Sequence, residues 1–187
     1  VNTDFSSVKR GYFGLAKSIK IKEHLWITPS LKAGMDHQHL KDLTFPFPEH
    51  HYAYSFVPAL LIHNEYVYVG FQHHTSATED RYPHHQRTMV IGAFVDVTPK
   101  LQLQPYYTTT AKGKYALHYA GVTATLWDRL LIGATSGVDY PQQQSVLLGF
   151  KFNAVHFTFS RKISGFKQIT EMDSGASTVS LVLDFNK

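Results

Sequence analysis

Segments of alternating apolar and polar residues follow one another along almost the whole chain, and the breaks between them go short, long, short, long. Tight breaks fall at Lys22-Glu23-His24, Asn64-Glu65, Thr98-Pro99-Lys100, Trp127-Asp128-Arg129 and Asn153-Ala154. Between them lie looser polar stretches at 37–53, 73–86, 109–114, 137–144 and 162–176. Alternation with a period of two marks a strand whose faces meet different surroundings. Tight turns at one end of each hairpin and longer loops at the other form the asymmetry of outer-membrane β-barrels, whose short turns face the periplasm. The chain therefore reads as all-β, an antiparallel transmembrane β-barrel of the bacterial outer membrane.

Composition agrees with that surface. At 187 residues the chain suits one domain, 1–187. Aromatics make up 14% and charged residues only 17%, whereas a soluble domain carries about a quarter charged residues. No apolar run reaches the roughly 18 residues of a membrane helix. A barrel escapes that test because only alternate residues meet lipid. Cysteine is absent, which removes disulfides, thiol catalysis and cysteine-based zinc sites. The net charge of +4 comes from Lys and Arg scattered over many segments. Without a dense basic run, nucleic acid is not an expected partner. No signal peptide opens the chain, so a mature or truncated protein is expected.

Strand assignments rest on period-two runs rich in β-branched and aromatic residues. Leu101, Leu103, Pro105 and Tyr107 face one way, with Gln102, Gln104, Tyr106 and Thr108 opposite. Val155, Phe157 and Phe159 alternate with His156, Thr158 and Ser160. On the long segment 115–127, Ala116, Ala120, Val122, Ala124 and Leu126 share a face that His118 interrupts. The last strand sets Val179, Leu181, Leu183 and Phe185 against polar neighbours. Pro58 predicts a bulge, an edge or a local irregularity, because proline cannot donate to a ladder. Trp26, Tyr54, Tyr66, Tyr68, Tyr106, Tyr107, Tyr115, Tyr119 and Trp127 fall near strand ends, as interfacial aromatic girdles require. The reading gives about eleven strands, an odd number, so the chain is expected to be the C-terminal part of a larger barrel of about fourteen.

Chemistry-bearing motifs are few. Of 12 histidines, His37/His39, His50/His51, His73/His74 and His84/His85 lie in or beside the expected long loops. Imidazoles on converging loops can hold zinc or copper. However, adjacent residues on an extended segment point opposite ways, and no HExxH motif is present. These histidines, with Arg161 and Lys167, are expected to contact a partner rather than a metal, and no cofactor is implied. Asp173-Ser174-Gly175 is ordinary turn material and nothing forms a nucleophile elbow, so no catalytic residue is assigned.

The last hundred residues carry a resemblance. Ile91-Gly92-Ala93-Phe94-Val95-Asp96-Val97 runs through Thr98-Pro99-Lys100 into Leu101-Gln102-Leu103-Gln104-Pro105. Leu126-Trp127-Asp128-Arg129-Leu130-Leu131-Ile132-Gly133 follows, then Leu147-Leu148-Gly149-Phe150-Lys151-Phe152-Asn153 and Phe157-Thr158-Phe159-Ser160. Tyr66-Val67-Tyr68-Val69-Gly70 is an earlier match. This order resembles the PorP/SprF family of type IX secretion outer-membrane proteins. The resemblance implies a non-enzymatic role supporting protein transport, gliding motility or the surface attachment of a secreted adhesin. Implied partners are outer-membrane lipid, a secreted adhesin or other type IX cargo, and other type IX secretion components. A porin-like channel for small solutes and a soluble β-barrel binding protein are the competing readings.

Overall fold

In the computed structural model the described residues are 6–40, 49–78, 81–141, 143–152, 155–164 and 177–183. Their regular structure is entirely β-strand. The strands are β1 (Ser6–Ala16), β2 (Ile19–Lys22), β3 (Leu25–Leu40), β4 (Glu49–His63), β5 (Val67–Thr78), β6 (Arg81–Ala93) and β7 (Val95–Thr98). They continue with β8 (Leu101–Lys112), β9 (Tyr115–Leu126), β10 (Leu130–Gly137), β11 (Gln143–Phe152), β12 (Val155–Ser164) and β13 (Ser177–Leu183). Hydrogen-bonded neighbours follow the order β1-β3-β4-β5-β6-β8-β9-β10-β11-β12-β13, with β2 on β3 and β7 on β8. Every defined register is antiparallel. No helix among the described residues is long and apolar enough to cross a membrane, which says nothing of strands.

Four of the tight breaks fall where one strand gives way to the next, and the fifth, Asn153-Ala154, lies outside the described residues. At Trp127-Asp128 both residues take positive φ, 51° and 55°, and the Arg129 N–H donates to the Leu126 carbonyl at 3.0 Å. That is a type I′ hairpin turn, whose twist matches the strands but whose geometry favours Asn-Gly. L-residues with larger side chains occupy it at a cost of about 1–2 kcal/mol each. The double variant Trp127→Asn, Asp128→Gly is expected to raise unfolding stability by about 1 kcal/mol or more. A higher urea midpoint with unchanged slope would register the gain.

β6 and β7 divide at Phe94, and β7 pairs β8 with a register shift between Asp96 and Thr98. A similar break separates β1 from β2, with a shift between Lys20 and Lys22. Such bulges concentrate twist next to tight hairpins; with β2 and β7 counted separately the described residues form thirteen strands, eleven of them along the main hydrogen-bonded path. Pro58 creates no irregularity against β3: Leu31↔Pro58 pairs in unbroken register inside a strand that has neighbours on both sides. A proline removes one donor, and the remaining rungs of a 15-residue strand hold the alignment.

Where they are described, the polar stretches 37–53 and 73–86 are strand rather than loop, over 37–40, 49–53, 73–78 and 81–86; residues 41–48, 79 and 80 lie outside the described residues. His37 and His39 continue β3, and His50 and His51 begin β4. His39 pairs with His50, Gln38 with His51, and His37 with Tyr52. His73 and His74 extend β5, while His84 and His85 belong to β6. Polarity was mistaken for irregular backbone there, yet ladder bonds are made by the main chain whatever the side chain. Arg161 likewise lies within β12, whereas Lys167 and Phe185 lie outside the described residues.

The chain divides into two compact units. The first contains Val1–Asn64, Val69–Met89 and Thr110–Ala116, and the second Glu65–Tyr68, Val90–Thr109 and Leu117–Lys187. Within each, the described strands separate apolar from polar side chains by face. The described residues of neither unit enclose an apolar core of ordinary size. Among the described residues the only buried hydrophobic side chain is Val57, at 4% exposure.

Candidate lipid-facing surface and its rims

In the first unit, register joins Leu15, Phe13 and Gly11 of β1 to Leu31, Ala33 and Met35 of β3. Those β3 residues pair in turn with Pro58, Phe56 and Tyr54 of β4. Directly opposed residues share a face, so this is one continuous apolar surface. Its members are exposed, Phe13 at 73% and Phe56 at 50%. The other face of β4 carries Ala53, Ser55, Val57 and Ala59, all buried or half-buried. Larger side chains point away from the more enclosed face and smaller, more polar ones toward it.

The second unit repeats the arrangement. On β11, Gln144, Val146, Leu148, Phe150 and Phe152 are exposed, while Gln143, Ser145, Leu147, Gly149 and Lys151 are buried or half-buried. Phe150 pairs with Phe157 of β12, which pairs with Leu181 of β13. Val179 and Leu181 are each 63% exposed. Leu183 closes β13. An exposed Leu is unremarkable singly, but a contiguous apolar surface running over paired strands marks contact with a partner or with lipid.

The polar face is stitched by side chains. The Tyr106 and Thr135 hydroxyls hydrogen-bond each other, and those of Thr88 and Thr110 lie 3.3 Å apart. The Tyr119 hydroxyl donates to Gln143 Oε1 at 3.1 Å. A chain runs from Gln104 Nε2 to Gln102 Oε1 and from Gln102 Nε2 to Asp96 Oδ1, each at 2.9 Å. Partial enclosure strengthens such bonds and raises the cost of leaving one unmade. Tyrosine rings also cover glycines on this face: a Cβ at Gly92 would overlap Tyr68, and one at Gly121 would overlap Tyr106.

This changes the reading of the aromatics. Tyr54 and Tyr107 lie on the apolar face, and Trp127 and Tyr66 are exposed at tight turns, all compatible with an interfacial girdle. Tyr68 and Tyr106 serve the polar face instead, as does Tyr119. Trp26 pairs with His63 across β3 and β4 and stacks on its ring at 5.5 Å. Proximity to a strand end was visible in the sequence, but the face a tyrosine serves depends on parity.

The same parity divides the histidines. His37, His39 and His50 occupy positions on the face of Met35 and Tyr54, whereas His51 has the opposite parity. On β5, His73 follows Phe71 on the exposed face and His74 follows Gln72 on the other. On β6, His85 shares parity with Arg87 and Met89, and His84 does not. The His73 and His85 rings lie 5.5 Å apart. In the second unit, the Tyr107 and Thr109 hydroxyls lie 2.9 Å and 3.1 Å from His118 Nδ1. The His118 N–H donates to Asp139 Oδ2 at 3.2 Å. Among the described residues no three His, Asp or Glu side chains come together as a metal site. Arg87 escaped the sequence reading, although counting by twos from Ile91 and Met89 reaches it.

No family model, no curated protein and no solved structure matches the chain.

Proposed function

We propose that the chain is membrane-embedded β-structure of a bacterial outer membrane, a wall section of a transmembrane barrel that supports type IX secretion or holds a secreted protein at the cell surface. One observation carries the membrane part: paired strands present Phe, Leu, Val and Met outward while the enclosed face holds Ser, Thr, Gln and Tyr. In water that inversion forfeits hydrophobic stabilisation of about 25 cal/mol per Å² of apolar surface left exposed. In hydrocarbon it costs nothing, and hydrogen-bonded ladders satisfy the backbone as lipid demands. The secretion part rests on the PorP/SprF resemblance carried by the motifs at 66–70 and between 91 and 160.

A porin-like channel is the second reading, favoured by the Gln, Thr and Tyr side chains along the polar face. Purification of the native protein in mild detergent, with mass spectrometry of what accompanies it, separates the two. A large secreted protein or adhesin co-purifying in fixed proportion supports the attachment role. The protein alone, giving steady large conductance in planar bilayers, refutes it in favour of the channel.

A further inference from the structure

Beyond the apolar belt of the first unit, on the side away from the tight turns, the exposed face changes character. On β3, Met35 is followed at alternate positions by His37 and His39, paired with Tyr52 and His50. On β1, the position opposite His37 is Lys9. On β6, Met89 is preceded by Arg87 and then His85, and on β5 Phe71 is followed by His73 and Thr75. Farther out on β6, Arg81 has the same parity, while Ala111 of β8 and Ala116 of β9 bring no charge. Asp36 pairs with Ala53 and Glu49 with Leu40, at positions of the opposite parity. At Arg87, His85 and His73 the belt is thus edged by guanidinium and imidazole.

The geometry points to a binding surface for phosphate-bearing lipid headgroups, one that prefers anionic over zwitterionic lipid. The inference rests on the membrane reading above. Two residues along a strand advance about 7 Å, enough to pass from the edge of the hydrocarbon into the headgroup layer. Arg87, two residues beyond Met89, sits at that depth with a guanidinium suited to bidentate phosphate contact.

The imidazole pair adds ring N–H donors beside Arg87. The His73 and His85 rings lie 5.5 Å apart, and the Thr75 hydroxyl lies 3.3 Å from His85 Nδ1. In the second unit Arg161 follows Phe159 in the same way, opposite Val146.

The test uses the full chain reconstituted in phosphatidylcholine bilayers containing trace spin-labelled lipid, with motionally restricted lipid read by electron paramagnetic resonance. Spin-labelled phosphatidylglycerol should be preferred over phosphatidylcholine by about fivefold, the scale of one cation at an anionic surface. That preference should fall at least about twofold in the triple variant His73→Gln, His85→Gln, Arg87→Gln. Restricted phosphatidylcholine without a preference for phosphatidylglycerol overturns this inference and leaves the membrane reading standing. No restricted lipid of either kind overturns both. A preference undiminished in the triple variant overturns the assignment to these residues.

Discussion

Replacing Leu148 by Arg will destabilise the protein in a bilayer by about 2–4 kcal/mol, the cost of a cation facing lipid near the midplane of a barrel. Leu148 sits in the middle of β11, exposed between Val146 and Phe150 on the apolar face, and pairs with Ile132 and Phe159. A guanidinium there must leave water and has no carboxylate on the adjoining rungs to meet. Reversible urea unfolding in lipid vesicles measures the loss. The effect depends on the solvent facing the strand: for a water-soluble β-structure the same change at an exposed leucine stays within about 0.5 kcal/mol. Ser145→Arg, on the opposite face, is the matched control. Its side chain is half-buried among polar groups and should cost much less than Leu148→Arg. Equal costs at the two sites would remove the distinction between the faces.

The second large effect is steric. Gly121→Ala will cost about 1–3 kcal/mol, the range for overpacking a tightly fitted site. A Cβ there would stand 2.5 Å from Tyr106 Cζ and 2.8 Å from the Ala134 carbonyl oxygen. The ring cannot swing away freely, because its hydroxyl is bonded to Thr135. Tyr106→Phe alone should lose only the hydrogen bond, about 1 kcal/mol. Combining Gly121→Ala with Tyr106→Ala should recover part of the steric loss, giving a non-additive cycle of about 0.5–3 kcal/mol. Strict additivity would mean that the ring does not rest on the glycine. Gly92 under Tyr68 offers an independent repeat of the experiment.

Much of the sheet was legible because its signals are local. The period of two is written into Leu101–Tyr107 and Val155–Ser160, and both are strands whose exposure alternates over Pro105–Tyr107 and Val155–Thr158. The tight breaks were legible because Pro, Asn and Asp interrupt both pattern and ladder. What stayed hidden is non-local or depends on depth. His73 to Thr78 lacks an apolar face, yet its backbone continues the ladder of β5. Strand length and the width of an apolar belt are separate quantities, and a polar rim beyond the belt looks in sequence like a loop. The Tyr106–Thr135 bond joins residues 29 apart, so it follows from inter-strand register rather than from any short motif. The Trp127-Asp128 turn was visible as a turn, but its left-handed backbone was not, since neither residue is a usual occupant. For the candidate surface, the apolar belt could be read from the alternation alone. The separation of His73 from His74, and of His50 from His51, needed the strands to be extended first.

The absence of cysteine makes a site-directed label scan of β11 free of background. Nitroxide labels placed one at a time from Gln143 to Phe152 in reconstituted protein, and read by oxygen against a water-soluble nickel relaxant, should alternate. Positions 144, 146, 148 and 150 should be open to oxygen and closed to nickel, with 143, 145, 147 and 149 shielded from oxygen. Nickel reaching Val146, Leu148 and Phe150 as readily as bulk water, or all of these labels protected from both relaxants, would mean that this face does not meet hydrocarbon.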